Sequence, residues 1–479
     1  MHEEKPIAEA DVGSWDLETD VAVVGLGCAG ACAAIEAREA GADVVVLERA
    51  SGGGGTSAQS GGLVYLGGGT PVQQACGYDD TPDAMYAFLM EACGPHADAA
   101  KVRAYCDGSV AHFHWLEAHG VPFKRSFFPE PSMEAPTDDC LVFSGGEDTW
   151  PFTEIAKPAP RGHKPQHEDA AGGFLMRCLV DAVAKSGARV EVDALARALV
   201  VDAAGAVVGV VATRDGARLA VRARRGVVLA AGGFVLNDAM LAAHVPVLAS
   251  CTWRLSAGGD DGSGIRMGQG AGGAVVRMDA GECAIPLTPP RRLVRGVIVN
   301  RFGQRFINED TYYGRVGQEA LFRQGGLFYW IHDESTYEVN RAGMQVDVVA
   351  ETIEELEGEL GLPDGALVAT MELYNRHARA GRDPVFHKGA EFVVPLERPP
   401  FGAIRVATGE ALYAGFTLGG LHTDVEGRVL TIAGEPVAGL FAAGRTTSGI
   451  AASGYASGIS LGDGTFFGRA AGRSAAARR

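Results

Sequence analysis

Gly25, Gly27 and Gly30 stand in the spacing Gly-x-Gly-x-x-Gly directly after the apolar run Val21-Ala22-Val23-Val24. Glu48 follows at about the distance at which an acidic residue closes a dinucleotide site. The chemistry this allows is recognition of a pyrophosphate and an adenosine. Gly25 permits a tight turn, Gly27 lets backbone N–H groups approach the phosphates, Gly30 lets a helix pack on its strand, and the Glu48 carboxylate accepts from ribose hydroxyls. The competing reading is a glycine-rich turn in an ordinary α/β sheet, a real alternative in a chain with 67 glycines. The elements needed to position the three glycines favour the dinucleotide. An apolar strand precedes them, the Ala-rich segment Ala31–Ala40 reads as a helix, and Val44–Leu47 is a second strand closed by Glu48-Arg49. The amino end of the helix then offers partial positive charge to phosphate.

Later segments choose between NAD and FAD. Ser51–Gly62 carries a run of glycines before Thr56-Ser57, a composition suited to a backbone nest around a long, flat cofactor. Gly226–Phe234 and Gly439–Gly444 are two more apolar strands ending in small residues, and a Gly/Ser-rich helix start follows at Gly458–Gly464. Three glycine-ended strands from distant parts of the chain suit a cofactor that spans the whole sheet, which is FAD.

The 479 residues suffice for two or three domains and a large core. With 47% hydrophobic and 21% charged residues, the composition is that of an ordinary soluble globular protein. A formal charge of −17 argues against nucleic acid or an anionic membrane as partner. The nine cysteines form no CxxC pair and no metal-ligand spacing with histidine, so reduced, buried thiols in a cytoplasmic protein and no metal site are expected. The acidic first 20 residues show no signal-peptide pattern, and no apolar run is long enough to span a bilayer. Ala470–Arg479 reads as a frayed helix end.

These pieces together resemble the FAD-dependent fumarate reductase/3-ketosteroid dehydrogenase superfamily over nearly the whole chain. The resemblance is carried by the N-terminal βαβ unit, Ser51–Gly62, Ala230–Asn237 (AAGGFVLN), Asp261–Met267 (DGSGIRM), Gly303–Glu309 (GQRFINE), Phe416–Leu421 (FTLGGL) and the Gly444 segment. It implies an α/β fold: a Rossmann-like, glutathione-reductase-type FAD domain built from residues 1–282 and 403–479, interrupted by a smaller α+β cap, or catalytic, domain over 283–402. Inside the cap, Glu351–Leu362 and Leu367–Ala380 read as amphipathic helices on either side of the Pro363-Asp364-Gly365 turn. The resemblance implies non-covalent FAD between the two domains. Beside Gly25, Gly27, Gly30 and Glu48 it carries cofactor contacts onto Ala29 and Arg49, onto Gly55, Thr56, Ser57, Gly61 and Gly62, and onto Ala196. It also carries them onto Ala231, Gly232, Asn237 and Asp261, and onto Gly444, Ser460 and Leu461. The chain departs from many relatives in having Arg445 where they carry Glu, and no contact is carried over there.

The resemblance also bears on the reaction. Fumarate reductases use cations to hold two carboxylates and an arginine to deliver a proton; this chain has Tyr313, Phe416 and Ser460 at three such positions. A dicarboxylate would lose charge-assisted hydrogen bonds worth about 1.5–3 kcal/mol each, unless arginines such as Arg291 or Arg315 supplied them from elsewhere. Tyr312, Tyr313, Tyr455 and Ser457 suit a neutral cyclic ketone instead, because hydroxyls polarise a ketone oxygen and a relayed tyrosine can take a weakly acidic α-proton. The Tyr455-Ala456-Ser457-Gly458 loop resembles that of the 3-ketosteroid Δ4-(5α)-dehydrogenases, implying a C4–C5 double bond introduced into a 5α-3-ketosteroid. Tyr455 and a backbone N–H near Gly458 would then hold the ketone. Tyr313 by family spacing, or else Tyr312, would remove the proton, and Ser457 would relay it. The alternatives are Δ1-dehydrogenation, against which stand the missing proline and shorter loop, and a flavoprotein reductase of another enone or enoate. The electron acceptor is left open. Each tyrosine competes with a packing role, and Ser457 with capping the helix that starts near Gly458. His422, His112, His114, His163 and His167 read as surface or loop residues, and Arg291-Arg292-Arg295 as a solvated cluster.

Overall fold

The structure is a computed structural model and describes residues 5–130, 135–285, 292–339 and 344–479. Its largest element is a nine-stranded sheet. Leu17–Val24, Val44–Leu47 and Arg189–Glu191 pair in parallel, as the βαβ pattern requires. Along Leu17–Val24 the side chains alternate between two cores: Val21 and Val23 face the helices, Ala22 and Val24 the opposite layer. The strand Ala217–Leu229 is forked. Its first half pairs antiparallel with Val207–Arg214, its last three residues pair parallel with Leu440–Ala442, and Leu17–Val24 runs along its other edge. The register shifts between Ala223 and Gly226. Gly226 has φ +146°, and a Cβ there would lie 2.7 Å from the Gly439 carbonyl oxygen, so the fork requires glycine.

Helix Cys28–Glu39 lies against the long helix Ile459–Ala477. Small residues let the backbones nearly touch; a Cβ on Gly472 would come 2.2 Å from the Ala33 carbonyl oxygen. The C-terminal stretch is therefore not frayed: Ala470, Ala471, Ala475 and Ala476 are buried on the first helix. The alanines that look like a solvated tail from composition are there because nothing larger fits. Two of the histidines also differ from expectation. His112 and His163 are fully buried, bonded to Thr465 and to Thr70 respectively, since each lies on the inward face of its element. Arg292 and Arg295 are exposed, and Arg291 lies outside the described residues.

Two smaller sheets frame the site. Trp253–Arg254, Ala414–Thr417 and Gly281–Ala284 make one, with Ala414–Thr417 in the middle. The other is antiparallel and holds Val297–Asn300, Leu327–Asp333, Phe401–Ala407 and Val348–Ala350. Helices Ile353–Glu359 and Ala366–Ala378 cover one face of it. Its other face shares a core with helix Tyr313–Arg323. No helix among the described residues is long and apolar enough to cross a membrane.

Candidate active site

The carboxyl ends of Leu17–Val24, Val44–Leu47, Ala217–Leu229 and Pro436–Ala442 open into one cavity of about 660 Å³, where an open α/β sheet binds its ligand. The turn at its floor tolerates only glycine at two points. Gly25 has φ +100° with the Ala230 carbonyl oxygen 2.4 Å from where a Cβ would sit, and a Cβ on Gly30 would fall 1.9 Å from the Gly25 oxygen. Glu48 is buried at the rim; Oε2 accepts from the Leu26 N–H at 2.7 Å and Oε1 from the Ala50 N–H at 2.8 Å. Two backbone donors fix the carboxylate, and its remaining lone pairs are free for a ribose. From the glycine-rich segment, Ser57 Oγ accepts the Cys28 N–H at 3.2 Å, tying that loop to the amino end of the first helix.

The cofactor positions carried over from the family resemblance line this cavity, with three exceptions. Gly30 packs beneath the turn, the structural part expected of it. Asn237 instead caps helix Asp238–His244, accepting from the Met240 N–H at 3.0 Å and donating to the Asp261 carbonyl at 2.8 Å. Asp261 pairs with Arg49 at 2.9 Å and accepts from the Ser263 N–H. The residue that reaches inward is its neighbour Asp260, 2% exposed, which accepts from Thr56 and Ser256, both at 2.6 Å, and from the Gly233 N–H at 2.8 Å. Arg445 completes this cluster at 3.3 Å and lines the cavity. Burial pushes the Asp260 carboxyl up, but Arg445 and the hydrogen bonds outweigh it and hold the group below its usual range. Asp260 thus joins the glycine-rich loop, the Gly232–Gly233 turn and the C-terminal segment. Two consecutive acids carry no sequence signal for which one turns inward.

At the other end the lining becomes aromatic and uncharged. Glu309, fully buried between Arg305 and Lys388, accepts from the Ile298 N–H at 2.9 Å and anchors the turn that delivers Tyr312 and Tyr313 to the start of their helix. Those two rings meet edge to face, 4.7 Å between centroids. Burial pushes the Tyr312 phenol well above the ordinary tyrosine range; Tyr313, Glu282 and Tyr455 add to this, and hydrogen bonding by Ser457 opposes it. The structure therefore brings Ser457 to Tyr312. Tyr455 stands edge-on to Phe416 at 5.3 Å, and its hydroxyl accepts the Ser460 N–H at 3.0 Å. The hydroxyl keeps its own proton to donate. Burial pushes this phenol up to about 12. Trp253 and Leu412, 41% and 42% exposed, give the opening an apolar rim.

Among the described residues, the two arginines that line the cavity, Arg49 and Arg445, are each paired with an aspartate. Arg315 is not among the lining residues; it stacks over Phe152. Sequence reasoning missed Asp260 and also Glu282, a buried carboxyl on the lining. The donor set fits FAD: glycines where a Cβ would collide, a helix amino end, a fixed carboxylate, a second glycine-rich loop, and a continuous cavity from these to the tyrosines.

Comparisons with known proteins agree. Residues 20–461 match the FAD binding domain family. The chain is 28% identical to the 3-oxo-5-alpha-steroid 4-dehydrogenase of Comamonas testosteroni, over 91% of this chain and 94% of that one. It is 30% identical to the 4-oxocyclohexanecarboxylate 2-dehydrogenase of Sinomonas cyclohexanicum, over 97% and 94%. Among solved structures it resembles the 3-ketosteroid-delta4-(5alpha)-dehydrogenase of Rhodococcus jostii RHA1 in complex with 4-androstene-3,17-dione. That match has a TM-score of 0.94 and 50% identity, and covers 99% of this chain and 100% of that one. With a glycine-restricted turn at the end of its first long strand, a carboxylate fixed by two backbone donors and a match across almost its whole length, the chain belongs to the FAD binding domain family of flavin-dependent oxidoreductases.

Proposed function

We propose that the protein is a 3-ketosteroid Δ4-(5α)-dehydrogenase that holds FAD without a covalent bond and introduces a C4–C5 double bond into 5α-saturated 3-ketosteroids. The observation that carries this is the uncharged end of the cavity. Tyr312, Tyr313, Tyr455 and Ser457 gather there against Phe416, and the apolar rim of Trp253 and Leu412 suits a flat hydrocarbon body. FAD, when bound, takes the hydride leaving the substrate carbon.

The protein's own groups manage the ketone and the proton. Tyr455, already an acceptor from the Ser460 N–H, donates to the 3-keto oxygen and so acidifies the C4 protons. A backbone N–H near Gly458, at the start of helix Ile459–Ala477, is the second donor to that oxygen. Tyr312 takes the C4 proton, with Ser457 beside it opposing the rise of its phenol; Tyr313 packs against it and shapes the floor. The four-stranded sheet and its two helices form the cap, whose last strand runs past residue 402 to Ala407. The nine unpaired thiols support a reducing, cytoplasmic setting.

Anaerobic mixing with a 5α-saturated 3-ketosteroid should bleach the flavin, and NMR of the product should place the new double bond between C4 and C5. A C1–C2 double bond would make the protein a Δ1-dehydrogenase, and no bleaching would overturn the steroid assignment. Acid precipitation should release the yellow colour into the supernatant; colour kept in the pellet would show a covalent link.

A further inference from the structure

Glu282 sits in the strand Gly281–Ala284 directly across from Phe416, and its side chain lines the cavity. It is 1% exposed, and neither carboxyl oxygen has a hydrogen-bond partner. The buried carboxylates Glu48, Asp260 and Glu309 are each fixed by two or more donors or cations. Native proteins rarely leave a buried carboxyl unpaired unless its reactivity is used. Its surroundings are phenols: helix Tyr313–Arg323 and the residue before it bring Tyr313 and Tyr312, and the 454–458 loop brings Tyr455. Electrostatic coupling links the carboxyl to Tyr312, to Tyr455 and to the Cys283 thiol behind it, which faces Cys251 at 3.9 Å. No arginine or lysine among the described residues offsets it. Burial alone pushes the carboxyl well above its ordinary range, and the neighbouring Cys283 amide opposes this without reaching hydrogen-bond geometry.

We propose that the Glu282 carboxylate is the base that ends the reaction holding the proton taken from the substrate, handed to it by Tyr312. The inference rests on the 3-ketosteroid reading. Neither Tyr312 nor Tyr455 can be the final base near neutral pH: both phenols are raised above an already weak acid, so each still holds its own proton and can take another only while passing that one on. With FAD as the oxidant of the proposed reaction, atoms and electrons balance. The C4–H bond breaks, its electron pair becomes the second C4–C5 bond, and the C5 hydrogen leaves as hydride, for which bound FAD would be the acceptor. The C4 proton passes to the Tyr312 oxygen as the phenol proton passes to Glu282. Tyr312 ends as it began, and Glu282 ends neutral. A carboxyl raised toward the working pH is a stronger base than an exposed one. The reactive form is the anion, so the rate falls as pH drops through that raised range.

The test compares wild-type holoenzyme with Glu282→Gln and Glu282→Asp. It reads the flavin content, the Kd for a saturated 3-ketosteroid, Tm, and the anaerobic bleaching rate against pH. Glu282→Gln should bind FAD and steroid as the wild type does and melt at a higher temperature, because an unpaired buried carboxyl is removed. It should bleach about 100-fold or more slowly and lose the acid limb of the pH profile. Glu282→Asp should keep the limb at a reduced rate. Wild-type bleaching by the Gln variant, or an unchanged acid limb, overturns the role of Glu282 and leaves the steroid reading intact. A lower Tm with loss of flavin in both variants overturns it in favour of a structural role. A wild-type enzyme that does not bleach overturns both.

Discussion

Replacing Tyr455 with Phe removes one oxygen and leaves the ring. The edge-on contact with Phe416 at 5.3 Å survives, so the wall of the cavity keeps its shape. Two interactions are lost. The first is the 3.0 Å hydrogen bond from the Ser460 N–H, a contribution of about 1 kcal/mol to stability. The second is the hydrogen bond donated to the ketone, which strengthens as negative charge builds on that oxygen. Losing one such donor costs about 10²–10³-fold in rate, or about 2.7–4 kcal/mol. The backbone amide near Gly458 remains and keeps the residual rate above zero. Because the lost interaction grows mainly in the transition state, the maximal rate should fall far more than substrate affinity. Anaerobic stopped-flow bleaching at several steroid concentrations separates the two. A Tyr455→Phe enzyme that binds flavin and steroid normally and bleaches within about threefold of wild type would refute the reasoning. The ketone oxygen would then be held elsewhere.

Gly25→Ala places a Cβ 2.4 Å from a backbone oxygen at φ +100° and should abolish FAD retention on gel filtration, at a cost of about 2 kcal/mol or more. Glu309→Gln leaves Lys388 and Arg305 buried beside a neutral amide and should lower stability by about 3–5 kcal/mol, read as a fall in Tm. Burial pushes Glu309 up, yet Arg305 and Lys388 bring it below the ordinary glutamate range. Its contribution is therefore present above that range and lost as pH falls through the depressed value, and the acid loss of Tm should be shallower in the Gln variant. Fumarate should not reoxidise the reduced flavin at an enzymatic rate, because both cavity arginines are paired and Tyr313, Phe416 and Ser460 carry no charge; reduced-viologen oxidation measures this.

The βαβ unit is legible because its requirements are local: positive φ at Gly25, contact at Gly30 and alternation along Leu17–Val24 are each written in a few consecutive residues. The tyrosine end is legible for a different reason, since residue types missing from a cationic pattern are visible in the chain itself. What escapes is set by direction. Asp260 and Asp261 are adjacent and chemically alike, and only the fold turns the first inward. Asn237 reads as a contact and turns out to be a cap, because Asn suits both. Glu282 looks like a polar strand residue until the fold pairs it with Phe416 and buries it, and the buried His112 and His163 are hidden in the same way.

The fork in Ala217–Leu229 sets a timetable for synthesis. Val227–Leu229 has one neighbour, Leu17–Val24, from early on, but its other edge waits for Leu440–Ala442. About 210 residues separate the two partners, and at roughly 5–20 residues per second a ribosome needs about 10–40 s to supply the missing strand. During that interval the growing chain carries a flat, apolar, unpaired slot in the middle of its main sheet. FAD cannot close it, since Gly444 and the helix that braces the phosphate turn emerge later still. The yield of folded enzyme is therefore governed by what shields that slot, and chaperone supply or slower growth should raise it where added flavin does not.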